Sequence, residues 1–403
     1  MGEGSHPLSG VRVLDLTNVL AGPFCAYQLA LQGADVVKVE TPGTGDLARQ
    51  LGADPDLSKR LMGASFLAQN AAKRSITINL KAEAGKAIFK KLVATADILV
   101  ENFRPGVMDR LGLGYATLAD VNPRLVYCAI SGFGQTGPMR DAPAYDQIVQ
   151  GLSGVMSITG DAESAPLRVG YPVADSIGGI TAAFAAVSAL HGRDRTGKGA
   201  FIDVSMLEST IATMGWVVSN YLIAGQTPTP MGNDNFTAAP SGAFRTGDGL
   251  LNIAANKQEQ FVAVVEAVGR PELATDPRFA ERENRKKNRA ALTAELEPAL
   301  ARRSAAEWEQ VLNKVGVPAA RVLSVPDALA LPQVEGRGLV RTIGGAKGVD
   351  RDITVTRSGF TVSGTEPNLD RPPPALGEHT DEVLTELGYT EDDIRGFRER
   401  GDI

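Results

Sequence analysis

The fold is decided by residues 11–40, where Val11-Arg-Val-Leu-Asp-Leu16 is followed by Ala21-Gly-Pro23 and then by Gly33-Ala-Asp-Val-Val-Lys-Val-Glu40. Val11–Leu16 reads as a strand. Ala21 opens a helical stretch to about Leu31, and Pro23 suits its first turn, where a missing N–H costs nothing. Gly33 ends that helix, and Ala34–Glu40 is a second strand. Two strands joined through a helix lie parallel, since a hairpin turn reverses the chain and a crossover does not. Outward from this unit the pattern repeats. Ser75-Ile-Thr-Ile-Asn79 is strand-like, Ala82–Ala94 is an amphipathic helix, and Asp97-Ile-Leu-Val-Glu101 is a strand. Leu125-Val-Tyr-Cys-Ala-Ile130 is another, leading into a glycine cluster at 132–137. The expectation is an α/β fold on a parallel sheet with helices on its faces.

At 403 residues the chain exceeds the size at which one core usually divides, so two domains are expected. Its 43% apolar and 22% charged content is that of an ordinary globular protein. A net charge of -6 argues against nucleic acid as the main partner. Cys25 and Cys128 supply no disulfide framework, and His6, His191 and His379 lie too far apart to form a ligand motif, so no metal is expected. Uninterrupted apolar stretches fall short of the ~18 residues that span a bilayer. Met1-Gly-Glu-Gly-Ser-His6 lacks the basic and apolar regions of a signal peptide. These features predict a cytoplasmic protein with no membrane association.

Further along, Arg193-Asp-Arg-Thr-Gly-Lys-Gly199 reads as a basic turn, Ala200-Phe-Ile-Asp-Val204 as a strand, and Met206 to Ile223 as a helix. Gly225-Gln-Thr-Pro-Thr-Pro-Met-Gly232 reads as a linker. Beyond it come a hairpin across Gly247-Asp248-Gly249 and helices near 257–268, 287–302 and 305–315, which place a small α+β domain at 225–330. Pro326–Gly348 is a return segment. Gly377–Gly388 is a capped amphipathic helix, and Thr390-Glu-Asp-Asp-Ile394 starts another.

The candidate chemistry centres on Arg168-Val-Gly-Tyr-Pro-Val-Ala-Asp175-Ser-Ile-Gly-Gly179, followed by the apolar run Ile180–Leu190. Asp175 stands where a helix begins, and Gly178 and Gly179 in its first turn are poor helix formers, by about 1 kcal/mol each against Ala. The plain reading is a capping aspartate, held ionised by the helix dipole and free amides. The chemical reading is a carboxylate nucleophile over a glycine floor open to close approach. Gly132-Phe-Gly134-Gln-Thr-Gly137 matches the dinucleotide fingerprint but opens no apolar helix, so no nicotinamide or flavin is expected. No phosphate loop and no Gly-x-Ser-x-Gly elbow occurs. Glu101-Asn-Phe-Arg-Pro-Gly106 follows a strand directly, where Asn102, Phe103 and Arg104 project into the ligand crevice of a parallel sheet. An aromatic ring and a guanidinium suit a nucleotide; the plain alternative is a turn with a solvated Arg and a Phe in the core. Lys73-Arg74 and Arg193–Lys198 read as solvated basic turns.

Over nearly its whole length the chain resembles the family III CoA transferases (the CaiB/BaiF group), which include formyl-CoA:oxalate and carnitine CoA transferases. The resemblance rests on the 10–17, 21–23 and 33–40 stretches, Lys73-Arg-Ser-Ile-Thr-Ile-Asn-Leu-Lys81, Asp97–Gly106, Ala144-Tyr-Asp146, Pro172-Val-Ala-Asp175, Arg195-Thr-Gly-Lys-Gly199 and Leu376-Gly-Glu-His-Thr380. It implies a Rossmann-like large domain over 7–224, the small domain over 225–330, and a return segment with C-terminal helices on the large domain over 331–403. Two such open rings interlock as a homodimer in this family.

The resemblance also implies an activity: CoA moves from an acyl-CoA donor to a carboxylic acid acceptor. Asp175 is implied as the nucleophile, carrying a mixed anhydride and then an aspartyl-CoA thioester, with glycines making room for acyl groups and backbone amides stabilising oxyanions. CoA is placed along Val19, Leu20 and Ala21, along Ile78, Asn79, Leu80 and Lys81, and along Asn102, Phe103, Arg104 and Arg110. Leu20, Tyr145, Asp146 and Gly178 are implied to line the acyl end. Oxalate-type members carry glutamine, arginine and lysine where this chain has Leu20, Thr41 and Pro143, and a glycine run in place of residues 231–243. An apolar Leu20 implies an acyl group larger or less polar than formyl. Two alternatives share the fold or the chemistry: an α-methylacyl-CoA racemase, whose histidine falls at Tyr145, and intramolecular CoA transfer within one dicarboxylyl-CoA. Tyrosine, with an ordinary pKa near 10, is a poor base for the racemase.

Overall fold

A computed structural model describes residues 6–403, so most of the N-terminal stretch read above lies outside the described residues. Alternating apolar residues build the sheet. Strands β1 (Arg12–Asp15), β2 (Asp35–Glu40), β3 (Lys73–Thr77), β4 (Ile98–Glu101), β5 (Val126–Ser131) and β6 (Ala200–Ser205) pair in the order β3-β2-β1-β4-β5-β6. Every pair is parallel. Both faces are covered, as parallel sheets require. Val13, Val36, Ile98, Val126 and Cys128 pack into one core, and their neighbours Leu14, Val37, Leu99, Tyr127 and Ala129 pack into the other. That is the period-two alternation of a strand. The strand order reverses between β1 and β4, which opens a crevice beyond their carboxyl ends.

Helices α1 (Ala21–Leu31), α2 (Glu83–Ala94), α3 (Asp146–Leu152) and α4 (Val173–Thr196) follow the strands. The 24-residue α4 begins two residues before Asp175 and runs through the stretch read from sequence as a basic turn, ending at left-handed Gly197. By length and composition α4 would cross a bilayer, which uninterrupted apolar stretches did not show; Ala182, Ala183, Ala186 and Leu190 instead bury into the core beside α1. The single helix expected over 206–223 is two, α5 (Met206–Thr213) and α6 (Trp216–Ala224), broken at Gly215 with a φ of 50°. The C-terminal helices Thr380–Glu386 and Glu391–Glu399 bury Val383, Leu384 and Ile394 against the α2 face. His379 occupies the cap position of the first of them, and the Thr380 hydroxyl donates to Gly377 O.

The chain forms two compact units. One holds the chain to Val155, Arg168–Gly225 and Gln333–Ile403; the other holds Met156–Leu167 and Gln226–Pro332. The second therefore takes in Met156–Leu167, which the sequence boundaries assign to the large domain. In it, Ser241–Arg245 and Leu250–Ala254 pair antiparallel, and Ala319–Arg321, a strand the sequence reading lacks, pairs antiparallel with the latter. Phe261, Val264, Leu296, Trp308 and Leu312 fill its core. In the first unit the return segment forms an antiparallel pair, Val340–Ile343 with Ile353–Thr356, packed on Tyr27 and Phe66.

The glycine pair in α4 has a packing cause. A Cβ on Gly179 would lie 2.5 Å from Ala21 O at the start of α1, and one on Gly178 would lie 2.9 Å from Met206 Cγ. These glycines let α1 and α5 approach α4, so the side-chain directions read as acyl space are filled by neighbours. Gly179→Ala, which trades a helix gain of about 1 kcal/mol for a backbone clash, is expected to destabilise the fold by roughly 2 kcal/mol in urea unfolding. Gly178→Ala meets a flexible methionine and is expected to cost less; equal stability of Gly179→Ala and wild type would contradict this packing.

Candidate active site

The crevice is organised from beneath by charges with no access to water. Asp15, Lys38, Arg49 and Lys73 are fully buried, with Asp46 and Glu40 nearly so. The Lys38 ammonium lies 2.9 Å from Asp46 Oδ2 and 3.8 Å from Asp15 Oδ2, and donates to Thr17 O at 2.8 Å. Lys73 lies 2.9 Å from Asp15 Oδ2 and donates to Pro23 O in α1. Arg49 forks onto both oxygens of Glu40 at 2.7 Å. Three anions meet three cations. Burial opposes the Asp15 anion, but Lys38, Lys73 and the Thr17 hydroxyl outweigh it and hold its carboxyl below the usual range. Burial pushes Lys73 down to about 8, with Lys38 adding to the effect and Asp15 opposing it.

This lattice fixes the segment after β1. Asp15 Oδ1 accepts from Thr17 N, and Asp46 Oδ1 accepts from Val19 N at 2.9 Å. Asn102, at the end of β4, donates to Asn18 O and accepts from Asn18 N, spanning the point where strand order reverses. Its amide is thus spent on backbone rather than offered to a ligand, because the turn after β1 leaves those groups without partners. Val19 is held at a φ of 68°, a left-handed conformation costly for a β-branched residue.

Above this segment lies a cavity of about 580 Å³ lined by Thr17, Asn18, Thr41, Ile78–Lys81, Phe103, Val107, Leu111 and Gly401. It gathers five of the residues expected at a cofactor: Ile78, Asn79, Leu80, Lys81 and Phe103. Phe103 also packs against the core, as the plain reading of it expects. Val19, Ala21, Arg104 and Arg110 do not line the cavity; Ala21 is buried in α1, while Arg104 and Arg110 are exposed beside it. A larger hollow of about 690 Å³ around Arg341 and Arg357 shares no lining residue with this one. Its arginines are engaged, Arg357 with the carbonyls of Gly338 and Phe360 and Arg341 with Glu366.

Asp175 sits third in α4, not at its cap, and is mostly buried. Burial first, and then the Asp146 carboxylate, push its pKa up to about 7. The dipole expected to keep it ionised is overridden, because its amides serve another anion: Asp146 Oδ1 accepts from Ala174 N at 2.9 Å and from Asp175 N at 3.4 Å. Those amides are therefore not free to hold an oxyanion. Asp146 is itself buried, takes a 2.7 Å bond from Gln150 Nε2, and has Arg168 at 3.8 Å. Tyr145 is 72% exposed and Leu20 is partly exposed at the start of α1. Ala21 O, three residues past the cavity-lining Asn18, lies against Gly179 of α4.

Comparison with known proteins decides what this arrangement belongs to. The family profile of CoA-transferase family III matches residues 8–380. The chain belongs to CoA-transferase family III. This family III enzyme is 45% identical to an acetyl-CoA:oxalate CoA-transferase of Acetobacter aceti over 84% of the chain and 86% of that relative. It is 38% identical to a succinyl-CoA–D-citramalate CoA-transferase of Chloroflexus aurantiacus over 96% of each. A solved CAIB/BAIF family protein of Brucella suis superposes with a TM-score of 0.83 at 37% identity, covering 95% of this chain and 100% of that one. The protein is a CoA-transferase.

The buried carboxylate of this family III enzyme makes a stability prediction with a definite sign. In an unfolded chain Asp175 titrates near 4, and in the fold at about 7. Ionising it in the fold therefore costs stability, a cost absent below about pH 4, growing to about pH 7 and level above. Asp175→Asn escapes that cost, so its advantage over wild type in urea unfolding is expected to grow over this window, to on the order of 2 kcal/mol at pH 8. Asp146→Asn, which keeps the cap on Ala174 N and removes the charge, is expected to narrow the difference. No pH dependence of the difference would show that Asp175 is not desolvated.

Proposed function

We propose that this enzyme moves CoA from an acyl-CoA to a small organic or dicarboxylic acid through covalent intermediates on Asp175. The observation that carries the reading is a desolvated carboxylate, pushed up to about 7, on the helix packed against Ala21, three residues beyond Asn18 in the wall of the nucleotide-sized cavity. The Asp175 carboxylate attacks the donor thioester; the C–S bond breaks, giving an aspartyl mixed anhydride and CoA thiolate. The thiolate attacks the aspartyl carbonyl, leaving an aspartyl-CoA thioester and releasing the donor acid. An acceptor carboxylate then displaces thiolate from the aspartyl carbonyl, and the thiolate attacks the acceptor acyl carbon, freeing Asp175 and the new acyl-CoA. A carboxyl titrating near 7 suits both halves: its anion is more nucleophilic than an ordinary carboxylate and is present at neutral pH.

The adenine end of CoA is assigned to the cavity of Ile78–Lys81 and Phe103, with Arg104 and Arg110 beside it. Oxalate and D-citramalate, named for two relatives, are dicarboxylates and support an acceptor of that class. A homodimer is supported by apolar surface that one copy leaves bare: no residue of α6 is buried, Ile223 is 86% exposed, and Phe184 on α4 is 75% exposed. The racemase alternative gains no support from relatives named as transferases.

Asp175→Ala is expected to lower transfer by at least 10³-fold while CoA affinity stays within about threefold, since binding and covalent chemistry use different residues. Wild-type initial rates with donor and acceptor varied together are expected to give the parallel lines of a two-stage covalent exchange. Converging lines, or substantial transfer by Asp175→Ala, would overturn the covalent reading.

A further inference from the structure

The glycine-rich stretch Gly132–Gly137, rejected above as a dinucleotide fingerprint, is a pinned loop that delivers an arginine. Gly134 N donates to Ser131 Oγ at 2.9 Å, and Gln135 N donates to both oxygens of Asp203 at 2.9 and 3.0 Å. Leu207 N closes on Gly132 O at 3.0 Å. Gly134 and Gly137 hold φ of 89° and 85°, which turn the chain back across the carboxyl end of β5. The turn at Gly137–Arg140 then carries the Arg140 guanidinium to the backbone of Gly106.

Arg110 arrives at the same glycine. A Cβ built on Gly106 would lie 3.2 Å from Arg110 Nη1 and 3.5 Å from Arg140 Nη2. The two guanidinium nitrogens are therefore within about 7 Å of one another, a gap that one phosphate fills with an oxygen on each. Among the described residues, neither these arginines nor Arg104 forms an ion pair with a carboxylate, although most other arginines of the chain do. Like charges brought together without a counterion repel unless an anion joins them. Gly106 leaves the approach open. Val107 and Leu111, the next residues along from Gly106 and Arg110, line the 580 Å³ cavity, so an anion here belongs to a ligand whose remainder occupies that cavity.

We propose that Arg140 and Arg110 form a two-arginine clamp on a phosphate group of CoA, delivered by the Gly132–Gly137 loop. The assignment rests on the CoA-transfer reading and adds Arg140 to it. Glycine 106 serves the clamp by absence of a side chain, and Asp203 serves it by holding the loop.

The test compares wild type, Arg140→Ala and Arg140→Lys with acyl-CoA, acyl-3′-dephospho-CoA and acyl-pantetheine. Arg140 is on an exposed loop, so each variant is expected to fold; urea unfolding checks this. With acyl-CoA, Arg140→Ala is expected to raise KM about 5- to 20-fold with kcat within twofold, and Arg140→Lys to recover part of the loss. With acyl-pantetheine, which carries no phosphate, wild type and Arg140→Ala are expected to coincide. A penalty that vanishes with the dephospho substrate assigns the clamp to the ribose phosphate; a penalty that persists assigns it to the diphosphate. A KM change under twofold with acyl-CoA, or an equal loss with acyl-pantetheine, overturns the clamp while leaving wild-type transfer intact. A wild-type enzyme that neither binds nor turns over acyl-CoA contradicts the CoA reading itself.

Discussion

Everything at the carboxyl end of the sheet depends on the pairing of Asp15 with Lys38 and Lys73. Three neighbouring strands each place one charge in the same dry layer, and Asp46, Glu40 and Arg49 complete it. Desolvating such charges costs several kcal/mol each, and a hydrophobic replacement of the set would be at least as stable. What hydrocarbon would not supply is directed hydrogen bonding. Thr17 N and O, Val19 N and Pro23 O are each held by a member of the lattice. A β-branched residue in the left-handed region persists only where its surroundings overdetermine it, and here they do. The segment between β1 and α1 is thus a rigid wall, and α4 is packed against its end.

Next to that wall stands Asp175, whose carboxyl is pushed up to about 7. Burial desolvates its carboxylate, which stands on a helix packed closely against α1 and α5. Asp146 shuts it off from the amides that would otherwise lower its pKa, and adds a like charge. A residue that reads as a helix cap is in fact denied the benefit of capping. The carboxylate that does cap α4 comes from 28 positions earlier in the chain, between α3's start and the first turn of α4.

The sheet was legible because its signal is local: residues 11–40 announce strand, helix and strand by periodicity, and β4 and β5 repeat it. The lattice was not. Asp15, Lys38 and Lys73 look like polar interruptions in apolar strands until register sets Asp15 opposite Lys38 and Lys38 opposite Ser75, beside Lys73's neighbour Arg74. The cavity residues Ile78–Lys81 were placed by family resemblance, and Phe103 also by its position after a strand; that the Asn102 amide pairs with Asn18 was not legible, since only the fold shows which backbone groups after β1 lack partners. Arg140 carried no sequence signal beyond following a glycine cluster. The break at Gly215 was hidden inside a stretch that reads as one helix from Met206 to Ile223, where a single glycine decides against it. For the lattice, Asn102 and Arg140 the missing information was which distant segment lies alongside.

The account's central claim is that Asp175 becomes covalently loaded with CoA. The most direct measurement is mass spectrometry of the peptide containing Asp175 after the enzyme is incubated with an acyl-CoA and quenched without acceptor. The account predicts a peptide carrying CoA as an aspartyl thioester, converted by hydroxylamine to the hydroxamate at Asp175. Steady turnover with an unmodified Asp175 peptide would contradict it.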